Sequence, residues 1–211
     1  MNTSYDQIAG TGLERLAALS DGLFAIAMTL IVLEIRVPAR EAVATEKALG
    51  VALIGLLPRI VTYLLSFLTL GIFWVGQQTQ LNHFSRADRH LSWLHLAFLA
   101  SVATMPFSTG LLAEFTTFRT ALLIYWTNVL LSGVVLYLGW LYAERAGLVK
   151  GGTPPDVGRA IKRRIVVAQT LYAVGAALCV VDTYWSIGFI VLVQLNYAIA
   201  PRIPGLSRLT T

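Results

Sequence analysis

Six long apolar runs, separated by short polar stretches, leave this chain few ways to fold. They extend from Leu16 to Val37, Leu49 to Gly76, Leu91 to Leu112, Thr117 to Tyr142, Ile161 to Val181 and Tyr184 to Ala200. Each approaches the roughly 20 residues a helix needs to cross a hydrocarbon core. With 56% hydrophobic and 13% charged residues among 211, the chain has more apolar surface than a soluble domain of this size can bury. The sequence predicts an all-α, multi-pass membrane protein, residues 1–211 forming one unit of six transmembrane helices in a lipid bilayer.

The first run is the least orthodox, because only Gly22 to Leu33 is free of charge, a length that also suits a signal-peptide core. Ala42-Val43-Ala44 even offers a small-x-small cleavage site. However, Asp6, Glu14 and Arg15 supply no positive excess ahead of the core, and Glu34 and Arg36 interrupt the approach to the cleavage site. The segment is expected to remain as a helix.

Counting Lys and Arg on alternate sides of six spans sets the orientation. One side holds Arg15, Arg86, Arg89, Arg145, Lys150, Arg159, Lys162, Arg163, Arg164, Arg202 and Arg208; the other holds Arg36, Arg40, Lys47, Arg59 and Arg119. Eleven against five places both termini and the basic loop between spans four and five in the cytoplasm of a cell-membrane protein. The Ile161-Lys162-Arg163-Arg164 cluster abuts a span without aromatic interleaving, so it reads as a contact for anionic lipid, with a regulatory or partner site as the alternative, and not for nucleic acid. Gly147 to Gly158, with Gly151-Gly152-Thr153-Pro154-Pro155, reads as a flexible turn and not as a domain boundary.

Catalytic chemistry is sparse. Cys179 stands alone as a small core residue, and His83, His90 and His95 straddle the cytoplasmic end of the third span without metal-ligand spacing. They are expected in solvent or at headgroup level. No nucleophile elbow, phosphate loop or dinucleotide fingerprint is present, so neither enzyme activity nor a cofactor is expected. Trp74, Trp93, Trp126, Trp140 and Trp185 fall mostly near span ends, as interfacial belts do. Pro58 marks a kink or the outer start of the second span, with Arg59 reaching toward water. Pro106 predicts a kink whose freed carbonyl Ser108 or Thr109 would satisfy.

Asp21 and Glu34 lie at depths where an ionisable group is expensive and so suggest work as well as anchoring. On a helical wheel of ~100° per residue, Leu19, Leu30, Leu33 and Val37 fall within roughly 40° of Ile26, with Leu23 and Thr29 about 60° to either side. Asp21, with Ser20 beside it, sits on nearly the opposite face and needs a partner on another helix or subunit. Arg15 projects along the aliphatic stripe and is badly placed to pair with Asp21. The stripe itself faces lipid, a packed core or a narrow pore.

Arg15-Leu16-Ala17-Ala18-Leu19-Ser20-Asp21-Gly22 resembles the R-x-x-x-F-S-D signature opening the first helix of the lysosomal potassium channel family. Phe24 to Leu30, Leu33 to Pro38, Phe73-Trp74, and Pro106-Phe107-Ser108-Thr109 with Glu114 are similar to that family's patterns as well. Leu19 stands in place of the signature phenylalanine. Gln77 and Gln78 stand where a histidine is expected a turn after the tryptophan, which leaves the network around the motif to amide hydrogen bonds and weakens any pH response.

The resemblance implies a homotetramer of the bacterial six-span branch, with four first helices ringing one potassium-permeable pore. Ile26 would be the main constriction, Leu30 and Leu33 would narrow the pore toward the outside, and Thr29 would offer a hydroxyl. Arg15, Ser20 and Asp21, with Trp74, would hold the pore helices, and the permeant potassium would be the only metal. Two other classes stay open at this point. One is a proton-coupled secondary transporter using Asp21 or Glu34; the other is a non-conducting protein whose Ser-Asp motif only packs helices.

Overall fold

The computed structural model describes residues 12–199, which form helices joined by short connections. Helix α1 covers Leu13–Leu30 and tightens into a 3-10 turn over Ile31–Glu34. After a second 3-10 turn at Arg40–Ala42 come α2 (Glu46–Gly55), α3 (Leu57–His83), α4 (Arg89–Ala103) and α5 (Met105–Glu114). Then follow α6 (Arg119–Arg145), α7 (Pro155–Ala177, extended by a 3-10 turn to Val180) and α8 (Thr183–Ile199).

Five segments are long and apolar enough to cross a membrane: Leu13–Glu34, Leu57–His83, Arg89–Glu114, Arg119–Arg145 and Pro155–Val180. Helix α8 is apolar but shorter, at 17 residues. Ala200, the expected end of the sixth run, lies outside the described residues, as do Arg202 and Arg208.

Several boundaries differ from the sequence reading, each for a local reason. The first span stops at Glu34 and not Val37, because Pro38 holds the preceding residue in extended backbone. The run from Leu49 to Gly76 is two helices. The Pro58 ring would collide with the carbonyl of Ile54 if one helix ran through, so α2 closes at Leu56 and α3 restarts with Pro58 in its first turn. Helix α3 then continues past Gly76 to His83.

Pro106 likewise divides the third span, at Thr104. Ser108 and Thr109 do not satisfy the carbonyl that Pro106 frees: Ser108 donates to Met105 O at 3.1 Å and Thr109 to Ser66 Oγ at 2.7 Å. The turn read as spanning Gly147 to Gly158 is shorter and partly pinned. Helix α7 already starts at Pro155, and Ser85 N and Lys150 N donate to Leu148 O and His83 O, both at 2.8 Å.

One hydrophobic core passes through the bundle, with Phe24 and Ile31 from α1, Leu65 and Phe73 from α3, Phe98 from α4, Leu122 and Tyr125 from α6, Tyr172 from α7 and Ile190 from α8. Polar ties cross it. Thr69 and Tyr125 hydroxyls lie 2.8 Å apart and Gln194 Nε2 donates to Thr69 at 2.5 Å, joining α8 to α3 and α6. Trp140 is buried and stacks on Phe84 at 5.6 Å, so it belongs to the packed interior and not to an interfacial belt. Trp93 and Trp185 are exposed.

Charged contacts collect at the two ends of the bundle. At one end Arg59 bonds Glu114 at 2.5 Å and Arg119 Nη2 donates to Val180 O at 2.9 Å. At the other, Lys162 pairs with Glu144 at 2.7 Å, Tyr142 donates to Asp88 at 2.6 Å, and Lys150 Nζ donates to Asn82 O at 2.8 Å. This division matches the alternation of charged loops read from the sequence.

A candidate pore face and its polar anchor

Two faces of α1 have opposite fates. Ser20, Phe24, Ala27 and Ile31, spaced four, three and four residues apart, are buried against α3 and the two helices of the third span, α4 and α5. The Phe24 ring lies 6.0 Å from that of Phe98, which in turn lies 6.1 Å from Phe73, so an aromatic trio fixes the middle of α1. The other face, with Leu19, Ile26, Leu30 and Leu33, is bare on the single chain: Ile26 is 60% exposed and Leu33 68%. The 3-10 turn carries Leu33 back over Leu30, because residues three apart eclipse in that geometry. Thr29 borders the stripe; its hydroxyl donates to Ile26 O at 2.8 Å, which leaves oxygen lone pairs to face outward.

The polar end of the buried face is a triangle. Gln77 Nε2 lies 2.7 Å from Ser20 Oγ and 3.0 Å from His95 Nε2, and Ser20 Oγ and His95 Nε2 are 2.7 Å apart. The Gln77 amide has two N–H donors, enough for both Ser20 Oγ and His95 Nε2, while the Ser20 hydroxyl itself donates to Leu16 O at 2.7 Å. His95 therefore does not sit in solvent or at headgroup level. It belongs to the Ser-Asp network, which contains a histidine after all, supplied by α4 and not by the position of Gln77 on α3.

Asp21 is clamped from the same helix. Its Oδ1 accepts from Trp74 Nε1 at 2.8 Å and from Gln78 Nε2 at 2.7 Å, so the adjacent pair Ser20-Asp21 meets the adjacent pair Gln77-Gln78. Trp74 and Gln78 lie four apart on α3 and grip the acid together. Asp21 and Trp74 both keep exposed surface. Arg15 is exposed, and no hydrogen bond or ion pair joins it to Ser20 or Asp21.

Glu34 sits at the far end of α1. Its carboxyl packs against Gly110 so closely that a Cβ there would lie 2.7 Å from Glu34 Cδ; any other residue at 110 would displace it. Arg59 Nη1 donates to Glu34 O at 3.2 Å while Nη2 holds Glu114. Arg59 thus ties α3 to the ends of α1 and α5 instead of only reaching for water. Beside the stripe runs an apolar groove of about 410 Å³, floored by Leu19, Leu23, Ile26 and Leu30 and walled by Ala103 and Pro106 at the break in the third span.

The family model of the endosomal/lysosomal potassium channel TMEM175 matches residues 15–106, from the start of α1 through the third-span break. A potassium channel of Streptomyces collinus is 30% identical over 188 residues, covering 87% of this chain and 90% of that one. A potassium channel of Chamaesiphon minutus is 31% identical over 190 residues, covering 88% and 93%. The crystal structure of a lysosomal potassium-selective channel TMEM175 homolog from Chamaesiphon minutus superposes with a TM-score of 0.77 at 28% identity, over 90% of this chain and 98% of that one. The human endosomal/lysosomal proton channel TMEM175 is 25% identical over 211 residues, which span 41% of its length.

Proposed function

The chain belongs to the endosomal/lysosomal potassium channel TMEM175 family, whose members are ion channels and not enzymes, and from that premise we propose that it is a potassium-permeable channel formed by four copies. Each copy contributes α1 to a central pore, with Ile26 as the main constriction and Leu30 and Leu33 continuing the neck outward. Six spans cross the cell membrane, α8 being the sixth, and both termini are cytoplasmic. Ser20, Asp21 and Trp74 hold the pore helix from behind, and Arg15 lies at the cytoplasmic mouth. The bacterial relatives' names, potassium channels both, support the choice of ion.

The observation carrying this reading is the asymmetry of α1. A transmembrane helix whose polar residues point inward to a built network, and whose aliphatic stripe is bare beside an open groove, has a surface prepared for other copies of itself. A ring of isoleucines conducts poorly at rest, because a narrow aliphatic neck cannot replace an ion's lost hydration and dewets. Opening widens and wets it. No T-V-G-Y-G segment is present, so selectivity does not rest on a carbonyl filter of that kind.

The test is potassium flux and current from purified protein in liposomes, beside Ile26→Ala and a sodium-only gradient. Passive potassium current that rises or loses selectivity in the variant is expected. Transport only under an imposed proton gradient would replace the channel with a carrier working through Asp21 or Glu34; unchanged current in well-folded Ile26→Ala would take the neck away from this stripe.

A further inference from the structure

The basic stretch beside the fifth span is not one uniform patch. Lys162 is held by Glu144, whereas the Arg164 guanidinium lies over the Tyr197 ring, 5.5 Å from its centroid, and borders a cavity of about 70 Å³ among α3, α6, α7 and α8. Ile72, Phe73, Leu136 and Ile165 give this cavity apolar walls. Two polar atoms of its lining residues are buried without a hydrogen-bond partner, the Tyr197 hydroxyl and Gln169 Oε1, while the Tyr172 hydroxyl faces the Gln194 side chain. Tyr172 is only 2% exposed.

Buried polar groups in folded proteins are almost always satisfied, so two such groups beside a guanidinium around one cavity point to something that binds there. Gln169 cannot simply turn away. Its amide packs on the bare backbone of Gly133, where a Cβ would lie 1.9 Å from Nε2, and Nε2 leans toward Val129 O at 3.4 Å. The lining therefore offers one phenolic donor, one cation and one amide acceptor, set in apolar walls. Arg164 lies nine residues into α7, ~14 Å along its axis, a depth from which a long side chain reaches the interface.

We propose that this cavity binds the head of an anionic phospholipid from the leaflet adjoining the basic loop, one per subunit. The phosphodiester would accept from Tyr197 and pair with Arg164, a headgroup hydroxyl would donate to Gln169, and an acyl chain would follow the apolar wall of α3 and α7. Phosphatidylglycerol carries all of these groups. The site stands apart from the α1 stripe, and its test reads lipid binding and not current, so it holds or falls independently of the conduction mechanism.

The experiment is native mass spectrometry and thermal melting of the full-length protein in micelles, titrated with phosphatidylglycerol or phosphatidylcholine. The wild type should retain up to one phosphatidylglycerol per subunit, with a raised melting temperature. Arg164→Gln should weaken retention about tenfold, since it removes a charged hydrogen-bonding partner. Tyr197→Phe, which keeps the ring and the fold, should weaken it severalfold. Arg163→Gln, which removes the same charge outside the cavity, should leave it unchanged. Equal loss in the two arginine variants would overturn the site in favour of diffuse attraction. Equal retention of both lipids, displacement of phosphatidylglycerol by inorganic phosphate, or no lipid dependence at all would overturn it in favour of an apolar groove, a free-anion site or enclosed water.

Discussion

Ser20, Gln77 and His95 form a triangle whose energetic worth can be predicted and measured. Ser20 is 0% exposed and Gln77 1%, so no solvent replaces a lost partner. Removing the hydroxyl in Ser20→Ala strands one Gln77 N–H, and in a soluble core such an orphan costs about 1–3 kcal/mol. In membrane proteins, interhelical polar pairs measured by double-mutant cycles average only about 0.6 kcal/mol and reach about 1.7, because the unfolded chain also finds partners in the bilayer. Three groups share these bonds at 2.7 to 3.0 Å. That geometry places the Ser20–Gln77 coupling in the upper part of the membrane range, about 1–1.5 kcal/mol. Ser20→Ala alone should cost about 1–2 kcal/mol and Gln77→Leu, which keeps the volume, about 2 kcal/mol. The double variant should be less destabilised than their sum by the coupling. Reversible unfolding in mixed micelles, at fixed protein concentration so that assembly does not shift the midpoint, measures all four corners. Additivity within about 0.3 kcal/mol would refute the reasoning, since residues without mutual interaction add to that precision.

Asp21→Asn should reduce assembly more than it alters permeation, because the acid faces α3 and away from the stripe; a stable tetramer by size-exclusion light scattering with altered ion selectivity would contradict this. Gly133→Ala should cost about 1–3 kcal/mol by driving a methyl into the Gln169 amide, and Gln169→Ala in the same chain should recover most of it in a thermal melt. Arg59→Gln should speed hydrogen exchange at Ile31–Glu34 relative to the rest of α1, because it removes the donor to Glu34 O.

The features that sequence shows well here are the local and repetitive ones. Apolar runs of span length, alternating charged loops and the Leu19-Ile26-Leu30-Leu33 stripe are visible because each depends on spacing within a single segment. The helix breaks at Leu56 and Thr104 needed the geometry of proline against the carbonyl four residues earlier, which hydropathy averages away. His95 was misplaced because its partner Ser20 is 75 residues distant, and no periodicity reports such a pairing. A signal for it did exist. Leu91, His95, Phe98, Leu99 and Val102 share one helical face, and all are buried, so a histidine inside an otherwise apolar stripe marks an inward position. Trp140 falls near a span end as a belt residue does, yet it packs on Phe84, a distinction that only the neighbouring segment makes.

The backing of α1 also restricts how the stripe can move. Turning this helix about its own axis by a single residue, ~100°, would pull Ser20, Phe24 and Ile31 out of their seats and drive bulky aliphatic groups into the space of the aromatic trio. With its serine and aspartate gripped by α3 and its serine touching α4, the helix behaves like a stave nailed to its neighbours. The three helices are therefore tied together as one plank, and the chain is already broken beside it at two places, the turn at Thr104 and the restart at Leu57.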